Sequence, residues 1–185
     1  SKVNGMKIRT ELIHFSEALQ LECGETLDSF DLMIESYGEL NESKSNAILV
    51  CHAFSGNHHV AGENKELGIG WWDQIVGPKK AIDTDKYYVV CCNNLGGCAG
   101  SSGPTSINKK TGKVFGKDFP QVSVSDWVNS QKILMDKLEI SSWHFVVGGS
   151  LGGMQALQWS IAYPNHIKKA GIFAAAAKSS TQNIA

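Results

Sequence analysis

Four short, unbroken apolar runs constrain the fold of this chain more than any other feature. They are residues 47–51 (AILVC), 87–92 (YYVVCC), 143–147 (WHFVV) and 170–176 (AGIFAAA), with Gly, Asn and Ser at their borders. A strand wetted on one face alternates polar and apolar residues; a strand covered on both faces does not. The runs therefore predict strands of a parallel sheet buried on both sides. Helices are expected between the last of them. Ser125 reads as the N-cap of the first, with Asp126 in its first turn and Trp127, Leu134 and Leu138 recurring at helical spacing beside Val128 and Met135. A second helix is expected after Ser150, with Met154, Leu157, Ile161 and the small Ala156 as its apolar face, stopping near Tyr163-Pro164. Upstream, residues 19–23 and 30–37 read as strands joined by a turn at Gly24-Glu25, an antiparallel pair. The fold class is α/β: right-handed βαβ units in a mostly parallel sheet, with an antiparallel pair at its N-terminal side.

Composition narrows the function. With 17 Lys+Arg against 18 Asp+Glu, the formal net charge of -1 makes no electrostatic case for nucleic acid or an anionic membrane surface. No apolar run approaches the roughly 20 residues that span a bilayer, and the first residues lack the apolar core of a secretion signal. The five cysteines are odd in number and form no C-x-x-C pair. Cys51, Cys91 and Cys92 read as small buried apolar residues, which implies a reducing, cytoplasmic setting. No metal site is expected, because His58 and His59 are adjacent rather than at ligand spacing. The Gly/Ser/Asn-rich stretch 93–116 is long enough to be a functional loop or a surface excursion.

The strongest chemical signal is VVGGSLGG, residues 146–153, which holds G-x-S-x-G around Ser150. It follows a buried strand and precedes an expected helix, the setting of a nucleophile elbow. There a serine sits on a sharp, strained turn, Gly148 and Gly152 remove side chains that would collide, and the helix N-terminus presents free N–H groups. The competing phosphate-loop readings lack their marks: no Gly-Lys-Ser/Thr, and no G-x-G-x-x-G with an acid about 20 residues on. An acyl-transfer serine also needs an oxyanion hole. The backbone N–H of Leu151 is one candidate donor, and that of Phe54, in the loop HAFSG after the first apolar run, is the other. Asn57 is a candidate substrate contact in the same loop, which reads equally as a solvated turn.

The base is missing. In this architecture the triad follows the order Ser, Asp or Glu, His, yet no Asp or Glu follows Ser150, and the only later histidine, His166, lies past the expected helix. Either the chain is the N-terminal part of a single larger domain, or the serine is not catalytic.

The segments HAFSGNHHVAG (52–62), GWWDQIVGPKKAIDTDKYYVV (70–90), NNLGGCAGSSGPTSINKKTGKVFGKDFP (93–120) and GGSLGGMQALQW (148–159) resemble the homoserine O-acyltransferases, α/β-hydrolase-fold enzymes. The resemblance implies an acyl group, acetyl or succinyl, carried from acyl-CoA through an ester on Ser150 to the hydroxyl of L-homoserine, in methionine biosynthesis. It implies no cofactor beyond the acyl-CoA substrate, and a homodimer for the full-length protein. It also implies that the Asp and His, the lid, the C-terminal strands and an arginine for the homoserine carboxylate follow Ala185. Residues 1–185 alone are then expected to be inactive. Asn94, in NNLGG, is more similar to the succinyl-using members. Lys79 replaces the Gly of GPGKA, and Lys109 and Val114 replace prolines, which bears on loop rigidity. Two alternatives stay open: a serine esterase of the same fold, or a truncated non-catalytic α/β domain.

Overall fold

The computed structural model describes residues 2–3, 5–53, 56–173 and 181–184. At its centre is an eight-stranded sheet. In chain order the strands are β1 (Lys2–Val3), β2 (Met6–Phe15), β3 (Phe30–Tyr37), β4 (Ala47–Cys51), β5 (Tyr88–Cys92), β6 (Phe145–Gly149), β7 (Ala170–Phe173) and β8 (Thr181–Ile184). Their spatial order is β1-β2-β3-β5-β4-β6-β7-β8. The four expected apolar runs form its parallel core, β5-β4-β6-β7, and the flanking pairs are antiparallel. The α/β class and the antiparallel N-terminal side are as the sequence implied. Residues 174–176 of the fourth run lie outside the described residues.

From β4 the chain first moves to β5 on one side, then returns to β6 on the other. The loops leaving the carboxyl ends of β4 and β6 therefore diverge. Such a switch point opens a crevice at the sheet edge where ligands of α/β folds bind. Helices α1 (Val124–Lys137) and α2 (Leu151–Ala162) pack together on one face, where Trp127, Leu134, Met135, Ala156 and Trp159 join Phe30, Leu32 and Leu49 in one cluster. The other face is covered by the β4–β5 connection, whose Val60, Ala61, Val76 and Ile82 meet Ile48, Val50 and Val89.

Three sequence expectations need correction. The antiparallel partner of β3 is β2, not residues 19–23; Leu19–Gln20 instead pairs with Thr26–Leu27 across the Gly24-Glu25 turn. Strand β2 escapes a periodicity search because its buried side changes. Met6 and Ile8 enter one core, Ile13 and Phe15 the other, so no single alternation runs its length. The N-cap of α1 is Ser123 rather than Ser125. Its hydroxyl accepts from the Asp126 N–H, and Asp126 reciprocates by accepting from the Ser123 N–H, a capping box. Asp126 also accepts from the Glu22 N–H, which ties the helix to the upstream turn. The third correction concerns α2. Met154, Leu157 and Ile161 face outward, Ile161 being 66% exposed, and only Ala156 of the expected face is buried. The inner stripe is instead Gly152, Gly153, Gln155, Ala156 and Trp159, small near the sheet so that the helix lies close to it.

Candidate active site

Strand β6 ends at Gly149 and α2 begins at Leu151, so Ser150 alone makes the turn between them. Its backbone sits at φ 55, ψ -122, a conformation an L-residue adopts only under constraint. The constraint is visible around it. A Cβ on Gly148 would lie 2.4 Å from the Gly152 carbonyl, and a Cβ on Gly152 would lie 2.1 Å from the Cys51 carbonyl oxygen. Three backbones, from β4, β6 and α2, thus meet where only glycine fits. The turn expected of a nucleophile elbow is present, with the Ser150 side exposed to the sheet edge.

Leu151 is the first residue of α2, and a first-turn N–H has no acceptor within its own helix. It is therefore placed to donate beside Ser150, with the positive end of the helix dipole behind it. Phe54 lies outside the described residues. The loop that carries it is held at both ends by buried polar groups. At the start, the Asn94 N–H donates to His52 Nε2 (2.9 Å), so the His52 proton resides on Nδ1 and is donated to the Ala53 carbonyl (2.6 Å). Burial, the largest influence, holds the His52 imidazole below its usual range and so neutral. The His52 carbonyl accepts from Gln155 Nε2 (3.0 Å) and from Asn94 Nδ2 (3.3 Å). Gln155, fully buried on α2, also accepts from Gln131 Nε2 (2.7 Å), whose own Oε1 accepts from the Trp159 indole. Helix α2 and the loop after β4 are thereby joined directly.

At the far end of the loop, Asn57 Oδ1 accepts from the His59 N–H (2.8 Å), and its carbonyl accepts from the Trp71 indole N–H (2.9 Å). Its side-chain oxygen helps to hold the turn. The stretch read as a possible solvated turn is not one: His58 and His59 are both buried. The long 93–116 segment is also fastened where it leaves the sheet. Ser101 Oγ donates to the Asn93 carbonyl and accepts from the Met33 N–H, and Ser102 Oγ accepts from the Asp31 N–H.

Among the described residues, no imidazole or carboxylate is hydrogen-bonded to the Ser150 hydroxyl. His14 pairs with Asp31, His52 is engaged as described, the His59 ring contacts Glu35 and the Gly68 carbonyl, and His144 stacks on Tyr87. His166 is bonded to the Ser141 carbonyl beyond the far end of α2, about 18 Å of helix away from the serine. Cys51, Cys91 and Cys92 are buried free thiols, and burial pushes Cys92 up to about 12, which keeps it protonated and inert. Cys98 is exposed. No helix among the described residues is long and apolar enough to cross a membrane.

Several buried polar residues at or near the loop after β4 were not singled out from sequence: Gln155, Asn94 as a structural donor, and Glu35 and Tyr37, which bond to His59 and the Val60 N–H. A signal existed for two of them. Gln155 interrupts the small and apolar inner stripe of α2, and Glu35 interrupts the buried end of β3.

A family model for the alpha/beta hydrolase fold matches residues 46–180. The chain belongs to the α/β-hydrolase fold family. Within that family, this hydrolase-fold chain is 59% identical over 180 residues to a homoserine O-succinyltransferase of Neisseria gonorrhoeae, covering 96% of the chain and 48% of that protein. Of solved structures, esterase E22 superposes with a TM-score of 0.81 at 40% identity, over 88% of this chain and 46% of that one. The homoserine O-acetyltransferase from Bacillus anthracis superposes with a TM-score of 0.82 at 37% identity, over 88% and 45%. The resemblance to homoserine O-acyltransferases read from the motifs is borne out. The chain spans about half the length of the curated relatives it matches.

Proposed function

We propose that this chain supplies the nucleophile and oxyanion hole of a homoserine O-acyltransferase of methionine biosynthesis. The observation that carries the reading is Ser150, strained at φ 55 between β6 and α2 with a helix N-terminus beside it. In the first half-reaction Ser150 Oγ adds to the thioester carbonyl carbon of acyl-CoA and its proton passes to a base. The C–S bond breaks, and coenzyme A leaves as the thiol after taking that proton. In the second, the hydroxyl of L-homoserine adds to the serine ester and gives its proton to the base. Ser150 departs with that proton, releasing O-acylhomoserine. Each tetrahedral oxyanion is held by the Leu151 N–H and the Phe54 N–H, and the NH₂ of Asn57 contacts substrate. The acyl donor is succinyl-CoA, a choice supported by Asn94 and by the names of the curated relatives. In the whole cytoplasmic protein the reading calls for a His base with an Asp partner, a lid, an arginine for the homoserine carboxylate and a homodimer. The reaction as written calls on no metal or further cofactor.

A second reading is favoured by the likeness to esterase E22: an acyl-ester hydrolase in which water is the acceptor. The two separate in one assay. The full-length protein is given succinyl-CoA or acetyl-CoA, with and without L-homoserine, and both free thiol and O-acylhomoserine are followed. Thiol release that depends on homoserine, is faster with succinyl-CoA and is lost in Ser150→Ala supports the proposal. Release that ignores homoserine and yields free acid overturns it in favour of the esterase.

A further inference from the structure

A buried carboxyl–imidazole pair lies beneath the loop that follows β4, and neither the elbow nor the core explains it. Glu35 on β3 is 1% exposed and His59 is 3% exposed. The carboxylate has a complete set of donors. Thr10 Oγ1 donates to Oε2 (2.6 Å), Tyr37 Oη donates to Oε1 (2.5 Å), and His59 Nδ1 donates to Oε1 (2.6 Å). His59 Nε2 lies 2.9 Å from the Gly68 carbonyl, which can only accept. Both ring nitrogens are therefore engaged, one with the Glu35 carboxyl and one with the loop backbone, so the ring is fixed in one orientation. The phenol of Tyr37 extends the group into the loop backbone. It accepts from the Val60 N–H (2.7 Å) and lies 3.3 Å from the His58 carbonyl. Burial holds the neighbouring His58 below its usual range, so the adjacent imidazole is neutral. A buried polar pair adds little net stability compared with an apolar replacement, and its best-attested use is to fix one arrangement.

We infer that Glu35, Tyr37 and His59 are positioning residues for acyl transfer, clamping the 57–60 leg of the loop after β4, whose start at Cys51 and His52 abuts Gly152 beside Ser150. The inference rests on the acyl-transfer reading of that serine and that loop. Strands β2 and β3 supply the fixed side, through Thr10, Glu35 and Tyr37. The loop supplies His59, His58 and Val60, and His59 in turn holds the Gly68 carbonyl of the following hairpin (Glu63–Asn64 with Gly68–Ile69). The clamp touches no reacting atom, so its loss acts on alignment. A misplacement of about 1 Å costs on the order of 100-fold in rate.

The test uses the full-length protein and three variants: Glu35→Gln, Tyr37→Phe and the double variant Glu35→Gln/His59→Gln. Two readouts are taken on folded protein: kcat and KM for succinyl-CoA, and the rate at which a fluorophosphonate labels Ser150. The expected result for Tyr37→Phe and Glu35→Gln is a fall in kcat and labelling rate of about 10- to 100-fold with KM for the thioester little changed. A strongly downfield proton resonance from the short His59–Glu35 hydrogen bond is also expected in the wild type and lost in Glu35→Gln. Should Glu35→Gln fail to fold, Tyr37→Phe, which leaves the Glu35–His59 pair in place, decides. Folded Tyr37→Phe with wild-type kcat and wild-type labelling overturns the inference. Absence of thioester turnover in the wild type refutes the acyl-transfer reading instead, and the relative labelling rates still decide the clamp.

Discussion

Replacing Gly152 by alanine tests the elbow most sharply. The new Cβ would lie 2.1 Å from the Cys51 carbonyl oxygen and 2.9 Å from its carbon, where ordinary contact begins at 3.4 Å. Cys51 ends a central strand bonded on both sides and cannot retreat. The start of α2 must therefore move by about 1.3 Å, and Leu151 and Ser150 move with it. Overpacking of this kind costs about 1–3 kcal/mol of stability. A displacement above about 1 Å at the nucleophile costs on the order of 100-fold in rate. The assay is fluorophosphonate labelling of Ser150 in the full-length protein beside a urea melt, since labelling needs the elbow but not the acyl donor. Expected are slower labelling by about two orders of magnitude and a lowered urea midpoint. Gly152→Ala with wild-type labelling and an unchanged melt would refute the claim that three backbones meet at this glycine.

Other consequences are less local. Lys79 holds φ 60, where a side chain costs about 1–2 kcal/mol and glycine's extra chain entropy returns about 0.5–1 kcal/mol, so Lys79→Gly should raise stability by about 0.5–1 kcal/mol in denaturant melts. A destabilised Lys79→Gly would show that the turn is not strained. Gln155→Leu leaves the buried Gln131 amide without its acceptor and removes a donor from the His52 carbonyl, and should cost about 1–3 kcal/mol as well as slowing Ser150 labelling. Wild-type labelling in that variant would separate α2 from the loop. His52 is held neutral by burial, below its ordinary 6.5, so the unfolded chain takes up a proton there that the folded chain refuses. Its share of stability is full above about pH 6.5 and declines as pH falls toward the folded-state value. Melts from about pH 8 to about pH 5 should show this acid-side loss, smaller in His52→Gln; an identical slope in that variant would contradict it.

Much of the fold was legible because the parallel core strands carry no polar residue to hide them: AILVC and YYVVCC can be little else. The elbow was legible for a similar reason, since its glycines are demanded by backbone contacts that tolerate nothing larger. Strand β2 was not legible, because its two halves feed opposite cores and its residues never alternate over the whole length. The outward side of α2 was misread because apolar spacing alone does not say which stripe is pressed against the sheet. Small residues mark that stripe here, and Met154, Leu157 and Ile161 lie opposite. The clamp of Glu35 and His59 was hidden for a different reason. Its partners are separated by 24 residues in the chain and meet only when the loop after β4 folds back over β3, which no local pattern encodes.

Ser150 as the acyl-accepting nucleophile is the step on which the mechanism turns. It is tested most directly by exposing the full-length protein briefly to succinyl-CoA without homoserine and locating the modification by peptide mass spectrometry. Expected are one succinyl group on the peptide bearing Ser150, none in Ser150→Ala, and its discharge to O-succinylhomoserine when L-homoserine is added. Turnover of succinyl-CoA that leaves Ser150 unmodified at every time point, or that persists in Ser150→Ala, would contradict it.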